Sequence, residues 1–393
     1  MVKKLEDYEW MCPEPFTNLK TNPNGLMVPC CITNIIHYKS GLFTEDDAMH
    51  VSKHGMRDFR NSRYMKIFRK AIKENDKSIL NETCKTCVRQ EQAGEKSPRQ
   101  FYLSRFDNDF KDKKSELERI IETEDYPTFL HSVELNSFLG NLCNNSCNTC
   151  DSEFSSKYMS ESIKLGEIKK QKSLIKSEHS FNFLEDLDDI QDNILEFKFT
   201  GGEPLLGNVN YDIMKKLNKS TIIRIITNGT QNPSRLINTL KGFKKVIINV
   251  SAEGVKDVSN YLRYPTDFDV VLKHYDMMQK VWGENVMFTT TINALNIARI
   301  PELLKLRKGH AGSFVSNNEY SINSVPPDIK DIYLNKLYEE GHTELINYLE
   351  NATYNEEEMW KMLRHVKRRD RIRGTNLLDV FPEWKEYYET CNG

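Results

Sequence analysis

A chain of 393 residues with 38% hydrophobic and 28% charged residues can bury a core large enough for two or three structural units. Its net charge of −2 gives no general attraction to nucleic acid or anionic membrane, and no stretch is long and apolar enough to read as a membrane span. Nine cysteines, seven of them in close groups, with no apolar secretory run in the first ten residues, argue against a disulfide framework and for thiols in a reducing, cytoplasmic setting.

Residues 1–105 form a cysteine-bearing unit. Cys12 lies between Met11 and Pro13, and Cys30 and Cys31 follow the turn signal Asn22-Pro23-Asn24-Gly25 between two short extended pieces. That turn can bring Cys12 toward Cys30, and Cys84 and Cys87 add a pair two residues apart that presents both sulfurs on one side of a tight loop. Cys12, Cys30, Cys84 and Cys87 therefore make a candidate four-thiol site, with Cys31 as the substitute for Cys30. Zinc and an iron-sulfur cluster both suit such a set. Residues 106–127 are charged and lysine-rich and read as an exposed helix or linker.

Residues 128–325 read as alternating strands and helices. The stretch 129–138 alternates like a strand and runs into Cys143, Cys147 and Cys150, spaced by three and then two residues. Three thiols this close can hold one soft metal centre and leave a coordination position open for chemistry. The insert 155–194 reads as surface helices, its Glu185, Asp186, Asp188 and Asp189 as a solvated face. Strands are expected at 195–200, 221–227, 246–250 and 286–292, with a sixth within 314–325; helices at 212–217, 234–240, 267–281 and 301–308. Such alternation gives a parallel sheet with right-handed crossovers.

Polar residues stand at the ends of these strands, where ligands bind in parallel sheets. Gly201 and Gly202 allow a ligand close to the main chain, and Glu203 beside them can accept from a ligand ammonium. Asn228, Ser251 and Asn293 end the following strands, and Arg263 can pair with a carboxylate in bidentate fashion. No catalytic acid, base or nucleophile stands out. Residues 326–393 read as helical; their cationic run from Lys361 to Arg373 follows Glu356, Glu357 and Glu358 and interleaves apolar residues, which fits a solvated amphipathic helix better than a nucleic-acid surface. Cys391 reads as incidental.

The cysteine loop followed one strand later by Gly201-Gly202-Glu203 resembles the radical S-adenosylmethionine (SAM) enzymes, with Thr149 in place of the bulky residue that commonly precedes the last cysteine. The resemblance implies a partial (β/α)6 TIM-type barrel in which Cys143, Cys147 and Cys150 hold a 4Fe-4S cluster. The cluster's open iron binds SAM, whose reductive cleavage gives a 5′-deoxyadenosyl radical that takes hydrogen from a substrate. It further implies that Glu203 meets the methionine amino group and that Ser251 and Arg263 contact the ribose and carboxylate, with Asn228 a further cofactor-binding residue and Asn293 lining the same pocket. The order of Cys12, Cys30, Cys84, Cys87, Gln90, Glu91, Gly94, Ser97 and Arg99 resembles the twitch, or half-SPASM, unit, which implies an auxiliary iron-sulfur cluster in preference to zinc. An oxygen-sensitive enzyme fed electrons by a flavodoxin or ferredoxin follows from the same likeness. Its substrate would be a peptide or protein, with a nucleotide or sugar as runner-up. A non-enzymatic zinc protein is the reading of another class.

Overall fold

The computed structural model describes residues 2–22, 25–30, 32–33, 48–51, 53–92, 94, 96–135, 141–169, 188–307, 310–315 and 319–391. Among these, an open eight-stranded sheet organises the fold: β1 (Asn18–Thr21), β2 (Met27–Val28), β3 (Ser132–Leu135), β4 (Glu196–Phe199), β5 (Ile222–Thr227), β6 (Val246–Ser251), β7 (Val286–Ile292) and β8 (His310–Phe314). The spatial order is β2-β1-β3-β4-β5-β6-β7-β8, and every neighbouring pair is parallel except β1 with β2. The last six strands are the expected partial barrel, left unclosed.

Strand residues alternate between two environments, as a period of two requires. Phe197, Phe199, Ile223, Ile225, Ile248, Val250 and Phe288 point outward into the main core, against Tyr211 and Met214 of the helix Asn208–Lys216 and Tyr275 and Met278 of the helix Phe268–Trp282. The second of these helices is started by Asp267, whose side chain accepts from the N–H groups of Asp269 and Val270. The inward face is polar. Lys20 and Lys198 both reach Glu134, at 2.6 and 3.1 Å, and Arg105 and Arg224 both reach Glu196, at 3.0 and 3.2 Å.

The four strands expected after the cysteine loop form within a residue of their sequence bounds. The next does not: β8 is His310–Phe314, ahead of the expected 314–325, because His310-Ala311-Gly312-Ser313 has none of the β-branched residues that advertise a strand. The turn at Asn22 is present, with Gly25 N–H on the Asn22 carbonyl at 2.9 Å; Pro23 and Asn24 lie outside the described residues. Unanticipated was its destination, since β1 joins β3 and carries the barrel sheet into the cysteine-bearing unit.

The stretch expected as an exposed helix or linker is also corrected. Lys114–Thr123 is helical, and Leu117, Ile120 and Ile121 are completely buried against Phe16, Phe106 and Phe129. Its charges fill the other face and hide this stripe from a composition-based reading. Of the acidic group, Glu185 and Asp186 fall outside the described residues, while Asp188 and Asp189 are exposed, as expected.

If Lys114–Thr123 belongs to the core, Ile120→Ala lowers the unfolding free energy by about 2–5 kcal/mol, measured by anaerobic urea denaturation. A loss below about 0.5 kcal/mol, typical of exposed positions, contradicts the buried placement.

Candidate active site

The three cysteines of the loop lie at the carboxyl ends of the strands. Cys143, Cys147 and Cys150 line a cleft of about 370 Å³ together with Gly201, Gly202, Asn228, Ser251 and Arg263. Five of the seven residues expected to bind cofactor thus share the cleft with all three expected metal ligands. The other two lie elsewhere. Asn293 is fully buried, its side-chain oxygen accepting from the Leu295 N–H and its amide donating to the Thr291 carbonyl, so it shapes the turn beyond β7. Glu203 is also fully buried, below the turn.

The Glu203 carboxylate accepts from the Thr227 hydroxyl at 2.7 Å, the Asn228 N–H at 2.7 Å and the Leu205 N–H at 3.1 Å. Burial pushes its pKa up, against the pull of these donors. Its role in the structure is to tie the turn after β4 to the end of β5. The same turn touches the cysteine loop: the Glu203 N–H donates to the Leu142 carbonyl at 2.7 Å, and a Cβ on Gly202 would lie 2.2 Å from that oxygen.

The cysteine loop is held on its other side by the segment after the helix Lys256–Leu262. Ser146 N–H donates to the Tyr264 carbonyl at 2.6 Å, Asn148 N–H to the Leu262 carbonyl at 2.8 Å, and the Asn145 side chain to the Thr266 hydroxyl at 2.7 Å. This places Arg263 in the cleft. One terminal nitrogen contacts both oxygens of the buried Glu253 at 3.0 Å, while the Arg263 Nε is buried with no hydrogen-bond partner. Burial opposes its charge, but Cys147 and Glu253 outweigh it and raise its pKa. A buried donor left unsatisfied beside a cleft suits an anionic ligand group.

Burial raises the pKa of all three loop thiols, Cys147 to about 11 with Arg263 pulling it down. They are neutral thiols near neutral pH and ionise when a metal takes up the negative charge. Three thiols, an unsatisfied guanidinium nitrogen and glycine main chain lining one cleft fit a thiolate-held cluster with an amino-acid ligand.

The second cysteine group also comes together. Cys12, Cys30, Cys84 and Cys87 surround a small pocket with Glu14, Phe68 and Tyr102, whereas Cys31 lies outside the described residues. Burial raises Cys12 strongly and Cys84 to about 12. The Arg99 N–H and Ser97 hydroxyl face Cys87 and pull its raised pKa downward, and the buried Trp10 Nε1 does the same to Cys84. Glu91 and Arg99 form a two-point ion pair at 2.6 and 3.0 Å, Arg99 donates to the Met11 carbonyl at 2.8 Å, and its guanidinium stacks 4.1 Å from the Trp10 ring centroid. The Glu91, Ser97 and Arg99 pattern therefore fastens Cys12 to the Cys84–Cys87 segment. Among the described residues no three His, Cys, Asp or Glu side chains crowd a single ion; each thiol group rings a pocket.

Sequence reasoning missed Glu253, Thr227 and Thr291, which line the cleft or support it. Their position at strand ends was the available signal. It also took the C-terminal cationic run for a solvated face, but Arg369 is 1% exposed and Arg373 donates to the cysteine loop. A residue more than two hundred positions away in sequence gave no sign of that contact.

Residues 137–307 match the family model described as the Radical SAM superfamily. No curated protein matches the chain. Gly202→Ala forces the turn and the cysteine loop apart, since the obstructing atom is backbone. We expect iron retention at the loop after anaerobic reconstitution to fall about 10-fold; wild-type retention would mean the two segments do not depend on this contact.

Proposed function

We propose that this chain, whose residues 137–307 match the Radical SAM superfamily model, is a radical SAM enzyme acting on a C–H bond of a polar substrate, a peptide or protein above other classes. The observation that carries the reading is the sharing of one cleft by Cys143, Cys147, Cys150 and the unsatisfied Arg263. A 4Fe-4S cluster with SAM supplies, when bound, one-electron cleavage of the sulfonium and with it the power to abstract hydrogen from an unactivated C–H bond.

The protein's part is positioning and exclusion of water. Cys143, Cys147 and Cys150 ligate iron. Arg263, steadied by Glu253, binds the carboxylate of SAM; Gly201 and Gly202, held by Glu203, offer main chain to its amino end. Asn228 and Ser251 provide polar contacts for the ribose, and Ile226 and Phe154 line the same cleft with apolar surface. Lys20, Glu134, Lys198 and Arg224 on the inward face are already held in ion pairs, so the preference for a peptide or protein rests on the likeness of the cysteine pattern to the twitch unit.

For Cys12, Cys30, Cys84 and Cys87 the proposed occupant is an auxiliary iron-sulfur cluster. The Trp10 Nε1 donor facing Cys84 and the donors facing Cys87 suit sulfur that carries negative charge, and zinc thiolate is the alternative. A flavodoxin or ferredoxin in the cytoplasm is the proposed electron source. Among the described residues no helix is long and apolar enough to cross a membrane. A structural zinc protein, the other class, has no need of a polar cleft at the strand ends.

The test is anaerobic reconstitution with iron and sulfide, then dithionite and SAM, reading 5′-deoxyadenosine. Wild type forms it and a Cys143→Ala, Cys147→Ala, Cys150→Ala variant does not. A Cys84→Ala, Cys87→Ala variant loses about four irons per chain if the auxiliary site holds a 4Fe-4S cluster. Zinc there, with no iron lost, removes that part. A reconstituted wild type whose reduced resonance signal is unmoved by SAM defeats the central reading.

A further inference from the structure

The helix Glu356–Arg373 lies beyond the matched residues 137–307, yet one stripe of it meets the helix Ser156–Lys164 and, at Arg373, the cysteine loop. His365, Arg369 and Arg373 recur every four residues and so share that face, while Arg364 and Arg371 are exposed on others. Arg373 makes contacts on both sides of Cys147. It donates to the Ser146 carbonyl at 2.6 Å, the Ser146 hydroxyl at 2.9 Å and the Asn148 side-chain oxygen at 2.7 Å.

We propose that Arg373 is a positioning residue for Cys147 and that its charge helps set the reduction potential of the iron-sulfur cluster held by this loop. The proposal rests on the radical SAM reading. Residues 146 and 148 give their N–H groups to Tyr264 and Leu262, so the loop is gripped from the Arg263 side through its donors and from the Arg373 side through its acceptors. Arg373 is itself held: Nε and Nη2 both contact Glu161, at 3.1 and 2.8 Å, and the Tyr264 ring centroid lies 5.0 Å away.

A second arginine fixes Glu161. Arg369 reaches it at 3.0 Å and also reaches Glu167, while Nε of Arg369 donates to His365 at 2.5 Å. Burial, with Arg369 and Arg373 next, lowers the His365 pKa to about 3, so the imidazole is a neutral acceptor, and it also meets Tyr158 and Tyr320 at 3.0 Å. Arg373 is therefore a buried cation at a fixed place beside Cys147. A cation there stabilises the more negative, reduced cluster and raises its potential.

Arg373→Met, Arg373→Lys and Lys367→Met are compared with wild type after anaerobic reconstitution. Iron retained on desalting is measured, together with redox titration of the paramagnetic signal that responds to SAM. Lys367 is on the same helix but donates to the Cys391 carbonyl, so Lys367→Met behaves as wild type. Arg373→Met retains the loop cluster about 10-fold less well and shifts its potential more negative. Arg373→Lys keeps the potential near wild type but not the retention, because one ammonium cannot span Ser146, Asn148 and Glu161 together. Wild-type retention in Arg373→Met overturns the positioning role, and a wild-type potential overturns the electrostatic one. If the wild type itself gives no signal that responds to SAM, the radical SAM reading fails instead.

Discussion

Two backbones meet where the Glu203 N–H donates to the Leu142 carbonyl, and the rest of the site depends on how near they come. A side chain at Gly202 would occupy the space of that carbonyl, so only glycine allows the approach. On one side of the contact the cysteine loop begins; on the other, Glu203 turns down to tie the ends of β4 and β5 together. A sheet of separate crossovers thereby gains a rigid rim. The Leu262–Tyr264 segment holds the far side of the loop through two more backbone hydrogen bonds, so main chain, whose geometry varies little, does most of the positioning.

The parts legible in the sequence are those whose signal is local. Val286–Ile292 alternates and is β-branched, Asp267 announces the helix it caps, and the three loop cysteines declare themselves by spacing. Glu203 was found for the right neighbourhood, though the structure puts its carboxylate under the turn instead of in the cleft. The parts missed depend on distant partners or on weak composition. His310–Phe314 becomes a strand because β7 offers an edge, not because its residues favour one. Arg369 and Arg373 look solvated among so many charges until Glu161 and Ser146 are brought to them. A buried cation is recognisable only with its acceptor in view.

The sheet also bears on the cysteine-bearing unit. Cys12 lies just ahead of the short helix Glu14–Thr17, which leads directly into β1, and β1 pairs with β3 along four residues. Between them, the buried His131 contacts Glu14 at 2.7 Å and Thr17 at 2.8 Å. Lys20 on Glu134 adds an ion pair across the same strands. The four-thiol pocket is thus anchored to the barrel by hydrogen-bonded strands and buried polar contacts, which fix its placement better than a linker between two separate units could.

The chain order of the loop's contacts has a consequence for biosynthesis. Cys143, Cys147 and Cys150 emerge from the ribosome long before Arg373, which supplies three of the loop's hydrogen bonds. During translation the thiols therefore wait in an incompletely braced loop. All of the loop's observed contacts are in place only after the helix Glu356–Arg373 has been made and has docked. A chain stopped before Arg373 carries every cysteine of the motif and lacks the three hydrogen bonds that this side chain gives to the loop.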